Sequence, residues 1–79
     1  MSDIVELDAR RLLCPMPVIR TQNRVAELAP GDTLDVICTD PGAAKDIPAW
    51  CRINGHELLG IEQGEGELVI SVRVGPGDD

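Results

Sequence analysis

Hydrophobic and polar residues alternate in four short segments of the chain, and this alternation predicts four β-strands. In the second segment Leu34, Val36 and Cys38 share one face, while Asp35 lies on the other. A short glycine-containing loop, residues 63–66, is expected to join the last two strands as a hairpin. The predicted strands are residues 4–8, 33–39, 56–62 and 67–74.

The first predicted helix lies between the first two strands. It opens at Pro15, and its apolar stripe is Val18, Val25 and Leu28, with Thr21 filling the remaining position at helical spacing. The following Pro30-Gly31 pair is expected to end it, because both residue types interrupt helices.

The second predicted helix follows the second strand. Asp40 is a suitable cap and Pro41 suits a first helical position, whereas Asp46 is expected to cap a further turn. Pro48 is tolerable only in the first turn of such a helix. Asn54-Gly55 predicts a left-handed stop.

These elements follow one another as β-α-β-α-β-β. The fold class that buries their apolar faces is an α/β (α+β) two-layer sandwich, in which a four-stranded mixed sheet carries both helices on one face. The 79 residues are expected to form a single domain, with residues 75–79 as a flexible tail.

Composition and charge narrow the functional classes. The chain has no Phe or Tyr and one Trp, so it offers no aromatic platform for stacking bases. Its net charge of −7 disfavours direct contact with nucleic acid. Residues 1–24 carry four basic and three acidic groups, and residues 25–79 carry three basic and eleven acidic groups. The segment around Cys14 is therefore the least acidic part of the chain.

The compartment is predicted from the N-terminal residues and from the cysteines. No apolar run approaches the ~20 residues of a membrane helix, and the first six residues lack the basic and apolar regions of a signal peptide. We therefore expect a cytoplasmic protein without a membrane partner, in which thiols stay reduced. The number of cysteines, three, is odd, which disfavours a fully paired disulfide framework. Their spacing contains no CxxC motif, which disfavours a redox dithiol.

The densest chemical signal is Cys14-Pro15-Met16-Pro17. Pro15 suits the first helical position, which makes Cys14 the predicted N-cap. Because Pro17 has no N–H, the backbone amides of Met16 and Val18 are the donors expected to face the sulfur. A thiolate is stabilised at a helix start as other anions are, and cysteines so placed have pKa values of roughly 3.5–7.5.

The neighbouring residues favour a carrier over a hydrolase. The segment has no His base and no second cysteine near Cys14, as a protease or a dithiol oxidoreductase would require. Arg10, Arg11 and Arg20 are candidates for stabilising the thiolate or steering a partner. Arg20 and Arg24, four residues apart, can equally form a solvated helix face.

The chain resembles the TusA (SirA-like, YedF-like) sulfurtransferase family over about residues 5–74. The resemblance lies in three groups of residues, namely Leu7-Asp8-Ala9, then Cys14-Pro15-x-Pro17-Val18 with Pro30-Gly31-Asp32, and Asp40-Pro41 with Asp46-Ile47-Pro48-Ala49-Trp50-Cys51. The sequence departs from the family where Arg11 replaces a common Gly, where Leu13 replaces a common Arg, and where Met16 replaces the Glu of some members. These departures leave the particular donor and acceptor open.

The resemblance implies the same two-layer sandwich and a sulfurtransferase that carries sulfane sulfur as a persulfide on Cys14, with Pro15 and Pro17 as the scaffold of the motif. It implies a cysteine desulfurase or a rhodanese as sulfur donor and a sulfur-relay protein as acceptor, in tRNA thiolation, molybdenum cofactor synthesis or sulfur oxidation. No cofactor is expected, because the sulfur is the cargo. We expect a monomer that forms transient complexes.

Other interpretations stay open at this point. The same surface could belong to a non-catalytic regulatory module that binds a partner, in which Cys14 only caps a helix. A thiol redox or selenium-handling protein would need Cys38 or Cys51 to reach Cys14, yet both fall on predicted core faces. The spacing of Cys51 and His56 matches no common zinc pattern, so we expect no metal site and a surface position for His56.

Overall fold

A computed structural model describes residues 4–13 and 15–76 and contains the elements in the order β-α-β-α-β-β. The strands form one sheet in the order β1-β2-β4-β3, in which β1 is parallel to β2 and the other neighbours are antiparallel. The predicted four-stranded mixed sheet with two helices is thus confirmed. The elements are β1 (Ile4–Ala9), α1 (Met16–Val25), β2 (Thr33–Cys38), α2 (Ala43–Asn54), β3 (Glu57–Gln63) and β4 (Leu68–Arg73).

The core lies between one face of the sheet and the two helices. α1 packs on β1 and β2, α2 packs on β3 and β4, and the helices contact each other. Leu34, Val36 and Cys38 are fully buried, as their alternation predicted. Burying a side chain such as Leu34 contributes roughly 1.5–3 kcal/mol. The fold therefore depends on short aliphatic side chains.

α1 is shorter than predicted at both ends. It begins at Met16 with Pro15 as its N-cap, one residue later than expected, because Pro15 has φ −95° and ψ 15°. It ends at Val25 rather than near Pro30. The chain leaves the helix in turns in which the Leu28 N–H donates to the Val25 carbonyl, so that Leu28 still packs against the core.

α2 is one continuous helix that begins later than predicted and contains an internal proline. The Asp40 carboxylate accepts a hydrogen bond from the Gly42 N–H at 3.0 Å in the turn before the helix, and Gly42 is the N-cap. The prediction that Asp46 caps a separate turn is wrong, since Asp46 lies inside α2. Pro48 also lies inside α2 and, because it has no N–H, removes one helical hydrogen bond. Packing of the buried side of α2 against the core keeps Pro48 within the helix.

The chain after α2 is more firmly held than its composition suggested. Gly55 ends the helix with φ 79°, as predicted. The imidazole of His56 stacks on Trp50 with ring centroids 4.9 Å apart, and its Nδ1 accepts the Gly75 N–H at 2.9 Å. His56 is therefore half-buried rather than a surface residue. The expected tail is tied down at Gly75, and residues 77–79 lie outside the described part.

Within the described residues, neither helix is long and apolar enough to cross a membrane.

Candidate functional site

The loop from β1 to α1 leads to the cysteine that the sequence singled out. Cys14 itself lies outside the described residues, and the chain order sets it between Leu13 and Pro15. The structure therefore describes the segments on either side of Cys14. Its predicted role, like that of Val18, stays a prediction.

Arg11 takes a backbone conformation that a glycine would normally supply. Its φ is 67°, and it is the one non-glycine residue with positive φ among residues 4–13 and 15–76. The Arg11 N–H donates to the Thr39 hydroxyl oxygen at 2.8 Å. That bond ties the loop to the chain just after β2 and helps to offset the cost of the left-handed conformation.

Arg10 is tied to two carboxylates. Its Nε donates to Glu67 Oε2 at 2.7 Å, and its guanidinium lies 3.3 Å from Asp8 Oδ1. The hydrogen bond with Glu67 raises the pKa of Arg10 above its ordinary value. Through its bond to Glu67, Arg10 holds the loop against the β3–β4 hairpin. The two carboxylates also offset the charge of its guanidinium. The expectation that it steers a partner loses support.

The first turn of α1 already uses some of its amides. The Met16 N–H donates to the Leu13 carbonyl at 2.8 Å, and the Ile19 N–H donates to the Pro15 carbonyl at 3.1 Å. The Met16 amide was expected to face the sulfur. It has a backbone partner instead, because the helix begins one residue later than predicted.

The second proline of the motif is a packing residue. Pro17 is fully buried, and its carbonyl accepts a hydrogen bond from the buried Thr21 hydroxyl at 2.8 Å. Thr21, which the sequence placed in the apolar stripe, thereby satisfies its only polar side-chain atom inside the helix. The start of α1 is consequently anchored to the core.

An apolar patch with basic neighbours surrounds this start of α1. Leu13, Met16 and Ile19 are 73%, 38% and 41% exposed, respectively. Arg11 and Arg20 are exposed beside them, and neither forms an ion pair within the described part of the chain. We call these five residues the α1 edge surface.

The other two cysteines are packing residues, as predicted. Cys38 and Cys51 are buried, at 0% and 1% exposure. Burial raises the pKa of each thiol to about 11, with the carboxylate of Asp40 adding to the effect at Cys38. Neither is therefore a thiolate near neutral pH, which weakens the redox alternative.

His56 is held by packing and by one hydrogen bond. Burial lowers the pKa of His56, so the imidazole is neutral near pH 7 and its Nδ1 can accept from Gly75. Cys51 lies near His56 in the lining of one shallow cavity, together with the Arg52 and Glu57 side chains. The structure uses His56 as a packing and hydrogen-bonding residue.

Sequence reasoning missed the residues that hold the loop. Nothing in the pattern points to Glu67, which reaches Arg10 from the opposite end of the chain. The positive φ of Arg11 had no signal in the residue type, because an arginine rarely adopts this conformation. Thr39 was predicted only as the last residue of a strand.

Sequence comparisons show which family and which known proteins this chain is similar to. The sequence model of a family described as Sulfurtransferase TusA matches residues 5–74. The sulfur carrier protein TusA of Pseudomonas entomophila is 43% identical over 76 residues, covering 92% of this chain and 95% of that protein. The sulfur carrier protein TusA of Pseudomonas paraeruginosa is 45% identical over 67 residues, covering 85% of each.

Two further relatives bear on size and fold. The YrkF protein of Bacillus subtilis is 42% identical over 69 residues, which is 87% of this chain but 37% of that longer protein. The crystal structure of a SirA-like protein from Desulfitobacterium hafniense has a TM-score of 0.79 and covers 90% of this chain and 97% of that one. At 24% identity this second likeness supports the fold alone.

Proposed function

Because the chain belongs to the sulfurtransferase TusA family, a family of sulfur carriers, we propose that it binds one sulfane sulfur as a persulfide on Cys14 and transfers it to a partner protein. The observation that carries this proposal is the anchored start of α1 directly after Cys14. Pro17 and Thr21 fix the first turn in the core, and Thr39 and Glu67 hold the preceding loop. A cysteine between two fixed segments attacks with a defined direction.

The chemical step is a thiol–persulfide exchange. The Cys14 thiolate attacks the outer sulfur of a donor persulfide, a sulfur–sulfur bond forms at Cys14, and the bond in the donor breaks. The donor leaves as a thiolate, and the proton remains on the transferred sulfur. Electrons balance without an external oxidant, because one sulfur–sulfur bond replaces another. Release to an acceptor thiol is the same step with the carrier as the donor.

Two features favour the thiolate form of Cys14. The start of α1 carries the positive end of the helix dipole, and the Val18 amide is the first-turn donor that we assign to the sulfur. Arg11 and Arg20, which have no ion-pair partner in the described part, add positive charge nearby. Pro15 keeps the junction stiff, since its φ is fixed by the ring.

The α1 edge surface is the proposed contact for donor and acceptor. Its apolar side chains, Leu13, Met16 and Ile19, suit the centre of an interface, and the exposed Arg11 and Arg20 suit its rim. We infer partners with an exposed cysteine beside apolar and acidic residues, such as a cysteine desulfurase or a rhodanese as donor and a sulfur-relay protein as acceptor. Complexes of this kind are brief and are compatible with a monomer in the reducing cytoplasm.

The test is to load the protein with sulfur and to measure its mass. The full chain is incubated with a cysteine desulfurase, its pyridoxal cofactor and cysteine, and is then analysed by intact-protein mass spectrometry. We expect a gain of one sulfur that a reductant removes, absent in Cys14→Ser and retained in Cys38→Ser and in Cys51→Ser. A rhodanese with thiosulfate serves as the second donor. A gain that persists in Cys14→Ser, or no gain with either donor, contradicts the proposal.

The regulatory module differs from the carrier in what Cys14 does. A pure binding module would keep its biological activity in Cys14→Ala, because the α1 edge surface stays intact. The carrier loses activity in that variant while still binding its partner. Measuring both properties in the same variant separates the two functions.

A further inference from the structure

The face of the sheet opposite the helices is not covered by any described element. We call it the open sheet face, and it consists of the strand positions that alternate with the buried ones. The register sets these positions in three rows across the sheet, namely Ile4–Thr33–Arg73–Glu57, Glu6–Asp35–Ser71–Gly60 and Asp8–Ile37–Val69–Glu62.

A trough crosses this face on the β3 side. It is about 470 Å³ in volume, and Ile4 and Leu59 line it together with Gly60 and polar residues of β2 and β4. The side chains of Ile4 and Leu59 are 68% and 42% exposed, respectively. The strand bulges between Leu58 and Gly60, which adds to the irregular shape of this edge.

Gly60 leaves the trough open without a structural reason of its own. Its φ is outside the left-handed region, and a Cβ built at this position would meet no atom within 4 Å. A glycine inside a strand weakens it relative to residues with side chains. The glycine is therefore dispensable for the fold, and the space above it is available to a ligand.

The open sheet face is strongly acidic. Glu6 and Asp35 lie directly opposite each other on the parallel pair β1 and β2, an arrangement that disfavours folding unless other charges compensate. Asp35 accepts a hydrogen bond from Ser71 at 2.8 Å, and Arg73 is neutralised by Glu57 at 3.2 Å. The face as a whole carries five carboxylates and one arginine.

We propose that the open sheet face is a second docking surface that binds a basic polypeptide segment of a partner protein, with an apolar side chain of that segment seated over Gly60. Charge complementarity selects this occupant, because lysines or arginines would offset the paired carboxylates of Glu6 and Asp35. A second copy of this chain would bring like charges together, and nucleic acid would be repelled.

This surface is separate from the α1 edge surface. The open sheet face lies on one side of the sheet, and α1 packs on the other. A partner can therefore occupy it while the start of α1 contacts a sulfur donor or acceptor. The two surfaces have opposite charge, so they select different partners.

The probe is a synthetic peptide of alternating lysine and valine, with a glutamate–valine peptide as its counterpart. The ¹⁵N-labelled full chain is titrated with each at low and at physiological salt. We expect the basic peptide alone to bind, with amide shifts on β1, β2, β4 and β3 rather than on the helices. Filling the trough with Gly60→Val should weaken binding about tenfold, the equivalent of ~1.4 kcal/mol, while thermal stability is retained.

Charge is tested by a matched pair of neutralising variants. Asp35→Asn keeps an acceptor for Ser71 and removes one partly buried charge from the face, and we expect about threefold to fivefold weaker binding. Glu65→Gln removes the same charge from the exposed hairpin loop and should leave the affinity unchanged. Equal effects of the two variants, binding insensitive to Gly60→Val, shifts on the helices, or peptide-independent dimerisation through this face would each overturn the proposal.

Discussion

Arg11 combines an unfavourable backbone conformation with a specific hydrogen bond. A left-handed conformation costs a residue with a Cβ roughly 1–2 kcal/mol relative to the right-handed one. The Thr39 hydroxyl accepts the Arg11 N–H, so the loop keeps this conformation despite the cost. The sequence alone predicted a connecting loop here, because positive φ depends on where the chain must turn and leaves no mark on an arginine.

Replacing Arg11 by glycine should therefore stabilise the fold. We expect Arg11→Gly to raise the free energy of unfolding by about 0.5–1 kcal/mol, since relief of the left-handed strain exceeds the added freedom of the unfolded chain. Thr39→Val should lower it by about 1 kcal/mol, because the Arg11 N–H loses its acceptor. Urea unfolding measures both. A destabilised Arg11→Gly variant would show that the side chain contributes more than the backbone costs.

His56 predicts how stability depends on pH. Burial lowers the pKa of His56 below its ordinary value of 6.5, so the unfolded chain binds a proton at a pH where the folded chain does not. The contribution of neutral His56 to the free energy of unfolding should therefore be complete above about pH 6.5, and it should be lost as the pH falls through the pKa of the folded state. Trp50, which stacks on His56, reports unfolding by fluorescence.

The control for this prediction is a residue that accepts without titrating. His56→Asn can accept the Gly75 N–H, and we expect a smaller loss of stability between pH 7.5 and 5.5 than in the unaltered protein. The neighbouring charges of Arg52 and Glu57 are the same in both. Identical pH slopes would mean that His56 does not control this dependence.

At the scale of elements, the sequence predicted the features that depend on local periodicity and missed the contacts between distant parts of the chain. The alternation in β2 and the stop at Gly55 were both correct, because each reflects a local rule of period or backbone conformation. The limits of α1 and α2 were wrong by up to several residues. Pro48 shows why, since tertiary packing retains a proline within a helix against its local preference.

The candidate site was predictable to a similar extent. The residue types around Cys14 singled out that motif, and the periodicity of the neighbouring apolar residues predicted that Cys38 and Cys51 are buried. It could not find Glu67 or the Gly75 contact with His56, because long-range pairs have no signature in a single chain. Those contacts arise only when the sheet brings distant segments together.

Gly60, which lies inside β3, and Gly75, which follows β4, provide a test at this scale. A Cβ on Gly75 would lie 1.8 Å from the Gly55 carbonyl oxygen, whereas a Cβ on Gly60 meets nothing within 4 Å. We expect Gly75→Ala to lower the free energy of unfolding by about 1–3 kcal/mol through this overlap. Gly60→Ala, the matched control, should be neutral or stabilising by about 0.4–1 kcal/mol. Equal effects in thermal unfolding would contradict the close packing at Gly75.

For the molecule as a whole, charge separates the two proposed contact surfaces. The open sheet face carries five carboxylates and one arginine, whereas the start of α1 presents Arg11 and Arg20. Such a molecule orients itself in the field of a partner before contact, which raises the rate of productive encounters. A carrier that must leave each partner quickly gains from rate more than from affinity.

The central claim is that Cys14 binds a sulfane sulfur that an acceptor can remove. The most direct measurement follows labelled sulfur from the donor to Cys14 and then to cyanide as the acceptor. The chain is loaded with ³⁵S from labelled cysteine and a cysteine desulfurase, freed of the donor by gel filtration, and mixed with cyanide, which removes sulfane sulfur as thiocyanate. We predict one label per chain, fully recovered as thiocyanate, in the unaltered protein and in a variant with Cys38→Ala and Cys51→Ala, and none in Cys14→Ser. Label that stays on the protein after cyanide, or that survives in Cys14→Ser, would contradict the account.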